Sequence, residues 1–438
     1  MADCKSGHTF KNWAGTLEFK PRQFCKPKDE AAIVEIVKEA RRTRGCVRVQ
    51  GAGHSFSQLL PTNDTLLSLD DMDQNNTTAI SADRKSVTVS AGVRLKDLIP
   101  RLTAEKLALK NLGSITEQSF AGAALTGTHG TGITKGALPT MIREARLVNG
   151  KGEVVTYTRD DEELKGVALS LGALGIVTKV TLDCIPHYQV DYNVYVGKFD
   201  AVMANLPQIV RENERVLLWW LFPLFERDDV LIVTKNDLDH DRGLLGNAED
   251  RVTTPLGLTG PLGKVEDAIL AAIAPQGRGT APGKFKRILH MKGDYEHMLT
   301  LPLLPVFHTE CEYAIPAQNA VAALSDFRTV VEESDLKLKL PVELRWVAAD
   351  DQLLSPCNDG DVCYIGASTE DNTAEVFARF EPIMWKHGGR PHWGKHFTLS
   401  RDAIATMYGQ NYKDFVKLRD AMDPDRVFSN SFLRHLFG

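Results

Sequence analysis

Apolar positions Ile33, Ile36, Val37 and Ala40 recur at helical spacing behind Pro27-Lys28-Asp29, which predicts a helix capped by Asp29 and stopped by Gly45. The run Val47-Arg48-Val49-Gln50 predicts a strand that delivers the chain into Gly51-Ala52-Gly53-His54-Ser55. Strand patterns at 65–69 and 87–89 come before and after a turn at Asp83-Arg84-Lys85. Residues 122–136 are so rich in Ala and Gly that they hold little to fill a core. Strand and helix patterns return between Arg143 and Pro186, including Leu171-Gly172-Ala173-Leu174-Gly175-Ile176-Val177. This alternation predicts an α+β domain over residues 1–186.

The texture then changes. Val190, Tyr192, Val194 and Val196 fall on one face of a strand, and Val230-Leu231-Ile232-Val233 forms another. Residues 237–283, rich in Gly, Pro, Asp and Arg, predict an excursion over the surface. Near the end, a helix through Met422 stops before Pro424, and Phe428-Ser429-Asn430 begins an ordered tail.

Length changes the picture first: 438 residues exceed one core at roughly 150 residues per domain. With 52 Lys and Arg against 57 Asp and Glu, the net charge of −5 argues against a protein built to grip nucleic-acid backbones, although a local basic patch would survive this argument. The longest apolar run, residues 216–225, is half of the roughly 20 residues a bilayer span needs, so no transmembrane segment is expected. Met1-Ala2-Asp3-Cys4-Lys5-Ser6 has no apolar core and predicts no signal peptide. Seven cysteines, an odd number without a Cys-x-x-Cys, support neither a zinc site nor a disulfide framework. The expectation is a soluble, cytoplasmic, reduced protein with no metal.

Four segments could carry chemistry. In Gly51-Ala52-Gly53-His54-Ser55-Phe56, glycines let backbone approach an anion, but Phe56 stands where a dinucleotide motif needs its third glycine. His54 could bind a metal, act as a base or join a cofactor, or simply satisfy loop carbonyls. The segment 112–132, with Gly122, Gly127, Gly130 and Gly132 among hydroxyls, suits a phosphate cradle or a tight linker. In Glu343-Leu344-Arg345, alternation puts both charges on one strand face, as a structural ion pair or as a donor to substrate oxygen with its orienting carboxylate. Arg390-Pro391-His392-Trp393-Gly394-Lys395 is either surface loop or a lysine and histidine offered to a polyol or lactone.

In order and spacing, these segments resemble the aldonolactone oxidoreductases and alditol oxidases of the vanillyl-alcohol-oxidase flavoprotein superfamily. The likeness runs from Asn12-Trp13-Ala14 to Asp423-Pro424 and Asn430 and is poorest at 237–283. It implies an α+β, two-domain fold: a PCMH-type FAD-binding domain (1–186), a cap with a mainly antiparallel sheet (187–400), and a C-terminal segment (401–438) returning to the interface. It implies FAD bound covalently, His54 holding the flavin 8α-methyl. Val49, Gln50, Gly51, Ala52, Gly53, Ser55, Gly113, Ser114, Ser119, Gly122, Ala123, Ala124, Leu125, Thr126 and Ile176 would line the cofactor, with His392 nearby. Glu343, Arg345 and Lys395 would surround the substrate hydroxyl as hydride passes to flavin N5.

The same resemblance bears on acceptor and substrate. Members with alanine before the serine of Gly113-Ser114 are often dehydrogenases. The missing methyl at Gly113 implies a path for O2 and an oxidase that makes hydrogen peroxide. Asn111-Leu112-Gly113, Val342-Glu343-Leu344-Arg345, Asp350-Asp351 and Leu354-Ser355-Pro356-Cys357 look closer to gulonolactone oxidases. Those oxidise C2 of an aldono-1,4-lactone such as L-gulono-, L-galactono- or D-arabinono-1,4-lactone, giving an ascorbate-type product. The alternative is an alditol oxidase acting on xylitol or sorbitol. A binding protein that has lost turnover is disfavoured by the joint presence of His54, Glu343, Arg345 and Lys395.

Overall fold

The computed structural model describes residues 3–72, 78–221, 228–250 apart from 239, 242 and 248, 285–300, 307–370 apart from 335, 337 and 339, and 373–438. Most of the excursion expected at 237–283 lies outside the described residues, as do 222–225 of the longest apolar run.

Helix Glu30–Thr43 forms where its spacing places it, with Asp29 accepting from Ala32 N at 2.8 Å and Ile33, Val37 and Ala40 buried. Its stop differs from expectation. Arg44, not Gly45, takes the left-handed conformation (φ +54°), and Gly45 N–H closes the end on Ala40 O at 2.8 Å. Strands Val47–Gln50, Thr65–Ser68 and Gln23–Lys26 run parallel in one small sheet. Strand Asp3–Lys5 adds antiparallel to its edge. A second, antiparallel sheet has the order Val154–Thr158, Ile142–Val148, Ile176–Asp183, Ser86–Ser90, Thr78–Ile80.

That edge strand corrects the cysteine reading. The register puts Cys4 opposite Cys25 with Cα atoms 4.0 Å apart, and the two form a disulfide. A separation of 21 residues carries no sign of this, because sheet register, not spacing, brings them together. Cys46, Cys184, Cys311, Cys357 and Cys363 are free thiols.

Among the described residues that follow, a nine-stranded sheet forms, antiparallel except at one edge pair. Its central strands run in the order Gln189–Lys198, Asp229–Asp237, Val216–Trp220, Val342–Val347, Val362–Thr369, Thr309–Pro316. Strand Gln189–Lys198 buries Asp191, Asn193 and Tyr195 as well as the expected Val190, Tyr192 and Val194, because it is covered on both faces. Helix Phe199–Arg211 packs Phe199 on Trp220. Helices Ala320–Glu333 and Thr373–Lys386 pack Phe327 and Phe380 together near Tyr313. By strand alternation, the face carrying Trp220 and Tyr313 is thereby filled. The opposite face, carrying Trp219, Glu343, Arg345 and Glu312, is left for the first part of the chain.

Candidate active site

Glycine conformation sets the first wall. Gly53 takes φ +72°, which a side chain would strain, and its carbonyl accepts from Trp13 N at 2.8 Å. Asn12 Nδ2 donates to Ser55 O at 3.1 Å, so the turn holding His54 is fixed from both sides. The Trp13 ring lies 5.6 Å from that of His54. Burial pushes the His54 imidazole below its ordinary range, which keeps it neutral at pH 7. Phe56 N–H then donates to Gly394 O at 2.8 Å, joining this turn to the loop that carries His392 and Lys395.

From His54 runs a cleft of about 1040 Å³, open to solvent and lined by residues 49–55, Ser119, Gly122, Ala123, Leu125, Thr126 and Ile176. Gly113, Ser114, Ala124 and His392, expected with them, are not on its wall; Ala124 is buried in the core. A Cβ at Gly51 would meet Ser119 Oγ at 2.9 Å and one at Gly122 at 2.7 Å, so both glycines present bare backbone. Among the described residues, Gln50 Oε1 and Gln118 Oε1 are buried here without a hydrogen-bond partner. Bare amides and unmatched polar atoms along a narrow cleft fit a long, phosphate-bearing cofactor such as FAD.

Arg48, absent from the sequence-based set, organises this cleft. It is 4% exposed and donates to the carbonyls of Leu59 (2.8 Å), Leu171 (2.8 Å), Gly172 (3.0 Å) and Phe428 (2.6 Å). Burial lowers its pKa to about 10, which leaves it charged at neutral pH. Asn430 Nδ2 adds bonds to the carbonyls of Gln58, Leu59 and Pro61.

The second wall is the open face of the large sheet. Gly366 stands opposite Glu343 in one neighbouring strand and Glu312 in the other. A Cβ there would come within 3.1 Å of Glu310 Oε1, so this glycine leaves a gap ringed by charge. Around it, Arg345 pairs with Glu343, and Trp219 Nε1 donates to Glu343 Oε2 at 2.8 Å. Lys395 pairs with Glu310, its ammonium 5.3 Å from the Phe56 ring centre. Glu312 lies 3.4 Å from His129 Nε2, and the His129 ring stacks on Tyr364 at 3.7 Å.

Burial opposes the charges of Lys395, Arg345, Glu310 and Glu312, and their partners overcome it. At Lys395 the carboxylates of Glu310 and Glu312 raise the pKa; at Arg345, Glu343 does. Burial would raise Glu310 and Glu312, but Lys395 and His129 respectively hold them low. His392, with no such partner strong enough, is lowered to about 3 by burial and is neutral; its Nδ1 accepts from Gly394 N–H at 2.9 Å.

The structure thus brings Glu343, Arg345 and Lys395 together beside the His54 turn. Glu310, Glu312, His129 and Trp219 are additions. Glu310-Cys311-Glu312 shows the same one-face alternation as Glu343-Leu344-Arg345, and that signal could have found the pair. His129, Glu312 and His392 offer possible ligand atoms within 4.8 Å of one another. Two ring nitrogens there are already occupied with backbone groups, His129 Nδ1 lying 2.9 Å from Gly130 O.

A small parallel-stranded sheet, a five-stranded antiparallel sheet and a larger sheet with one charged face, together with a cofactor cleft beside that face, define an FAD-dependent oxidoreductase. Residues 21–158 match the FAD binding domain family, and residues 180–436 match the D-arabinono-1,4-lactone oxidase family. The chain belongs to the D-arabinono-1,4-lactone oxidase family. It is 29% identical over 442 residues to an L-gulono-1,4-lactone dehydrogenase of Mycobacterium tuberculosis, covering 98% of this chain and 99% of that one. It is 27% identical over 458 residues to the L-gulonolactone oxidase of Mus musculus, with 98% of each covered. It is 28% identical over 442 residues to an alditol oxidase of a Streptomyces species, with 97% and 98% covered. Cholesterol oxidase from Brevibacterium sterolicum superposes with a TM-score of 0.79 at 17% identity, over 100% of this chain and 98% of that one, which shows the shared fold. No described helix is long and apolar enough to cross a membrane.

Proposed function

We propose that the protein oxidises the C2 carbinol of an aldono-1,4-lactone, with FAD attached through His54 and O2 as the acceptor, yielding hydrogen peroxide and an ascorbate-type product. Bound FAD supplies the acceptor for the hydride. The domain division proposed with it is 1–186 for the cofactor, 187–400 for the cap and 401–438 for the returning segment.

The observation that carries this reading is the convergence of Lys395, Arg345 and Glu343 on the gap at Gly366, beside the His54 turn. Residues 49–55, Ser119, Gly122, Ala123, Leu125, Thr126 and Ile176 hold the cofactor, and a neutral His54 is the nucleophile that a covalent bond to carbon requires. Lys395 and Arg345 donate to the substrate oxygen as it becomes a carbonyl, stabilising charge where it develops. Glu343, itself held by Trp219, fixes the guanidinium of Arg345. The bare Cα of Gly113 leaves O2 a path.

The test is a peroxide assay comparing L-gulono-, L-galactono- and D-arabinono-1,4-lactone with xylitol and sorbitol, together with a spectrum of acid-denatured protein. Lactone-dependent peroxide and yellow colour retained in the precipitate are expected. Preference for the open polyols would make it an alditol oxidase, and flavin released into the supernatant would refute the bond to His54.

A further inference from the structure

Resting on the reading that Lys395 faces substrate, we infer that Glu310 is a positioning residue that clamps the Lys395 ammonium, so that lysine serves as a fixed cationic donor and not as the acceptor of the substrate's hydroxyl proton. Two independent pieces of geometry lead there. Lys395 Nζ pairs directly with the Glu310 carboxylate, and Glu310 lies over the side-chain-free position at Gly366. Lys395 comes from a loop, and its backbone is held by a bond from its N–H to His392 O at 3.0 Å. A long, flexible chain on a loop samples many rotamers, and a charged partner on a rigid strand selects one.

All the charged neighbours act in the same frame. Glu310 and Glu312 face Lys395 from strand Thr309–Pro316, Arg345 opposes it from strand Val342–Val347, and His308 Nε2 lies 3.9 Å from Glu310 Oε2, the same oxygen that pairs with Lys395. Glu312 is engaged with His129 and Glu343 with Arg345, which leaves Glu310 as the carboxylate committed to Lys395. Without it, the ammonium would be buried beside the Arg345 guanidinium with only the more remote Glu312 in compensation. A neutral amine would then be favoured.

The experiment compares wild type, Glu310→Gln, Glu310→Asp and Gly366→Ala as FAD-loaded proteins. The first readout is competitive acylation of Lys395 across pH, followed by peptide mass spectrometry, which reports its protonation without turnover. The second is the pH profile of kcat/KM. Glu310→Gln should shift the Lys395 labelling curve and the alkaline limb of the profile together to lower pH, by about one unit or more, which is roughly tenfold in the free-amine fraction at a pH between the two values. Glu310→Asp should largely restore both. Gly366→Ala, which keeps the carboxylate but crowds its Oε1, should move both in the same direction by less. Labelling curves that coincide for wild type, Glu310→Gln and Gly366→Ala would overturn the inference. If the labelling shifts while Lys395→Met leaves the lactone kinetics unchanged, the clamp stands and the reading that Lys395 faces substrate falls.

Discussion

Lys235 offers the sharpest quantitative test of this fold. Its side chain lies in strand Asp229–Asp237, 5% exposed, with Nζ donating to Leu299 O at 3.0 Å and 5.6 Å from the Tyr192 ring centre. Among the described residues, no carboxylate forms an ion pair with it. Burial, with a smaller contribution from Arg345, pushes its pKa from 10.5 down to about 7. In the unfolded chain it returns to about 10.4. Between these values the unfolded state binds more protons than the folded one, so this group makes stability rise as pH increases from about 7 to about 10. Three to four pH units at about 1.36 kcal/mol each set the scale, and with the folded lysine half neutral at pH 7, about 4 kcal/mol is gained across the window. Lys235→Met keeps the volume and removes the titration. It also leaves Leu299 O without that donor, a cost of about 1–3 kcal/mol that does not vary with pH. The readout is therefore the slope: guanidinium unfolding of both FAD-loaded proteins at pH 7, 8, 9 and 10. The wild type should gain on the variant by several kcal/mol, mostly below pH 10. Parallel pH dependences would show that the folded lysine is not deprotonated by burial and would refute the reasoning.

Two further outcomes follow from close contacts. Gly113→Ala should slow reoxidation of reduced enzyme by O2 more than reduction by lactone, as read by stopped-flow absorbance; its Cβ would lie 3.1 Å from Thr128 Cγ2, so a small local adjustment accompanies the added methyl. Equal rates in both half-reactions would remove Gly113 from the oxygen path. Alkylation of the unreduced, denatured protein should modify Cys46, Cys184, Cys311, Cys357 and Cys363 and leave Cys4 and Cys25 untouched, and modification of all seven would contradict the cross-strand disulfide.

What was legible in the sequence is what depends on short-range pattern. Asp29 and the apolar spacing behind it gave the helix, and the strand before Gly51 gave the His54 turn. The chemistry-bearing segments were visible because residue type and alternation coincide, as at Glu343 and Arg345. The remainder depends on register between distant strands. Cys4 meets Cys25, and Glu310 meets Lys395, only because sheet pairing and loop placement bring them together. Arg48 read as one residue of a strand; its four carbonyl partners lie 11 to 380 residues away. The two-residue alternation at Glu310 and Glu312 was readable, but without the glycine opposite them nothing marked that face as open.

The bonds from Arg48 to Phe428 and from Asn430 to the loop at 58–61 each join positions more than 360 residues apart in order of synthesis. Strand Val47–Gln50 leaves the ribosome some 380 residues before the carbonyl that completes its anchoring. A partly translated polypeptide therefore lacks the suture that shapes the cradle until elongation has passed Asn430.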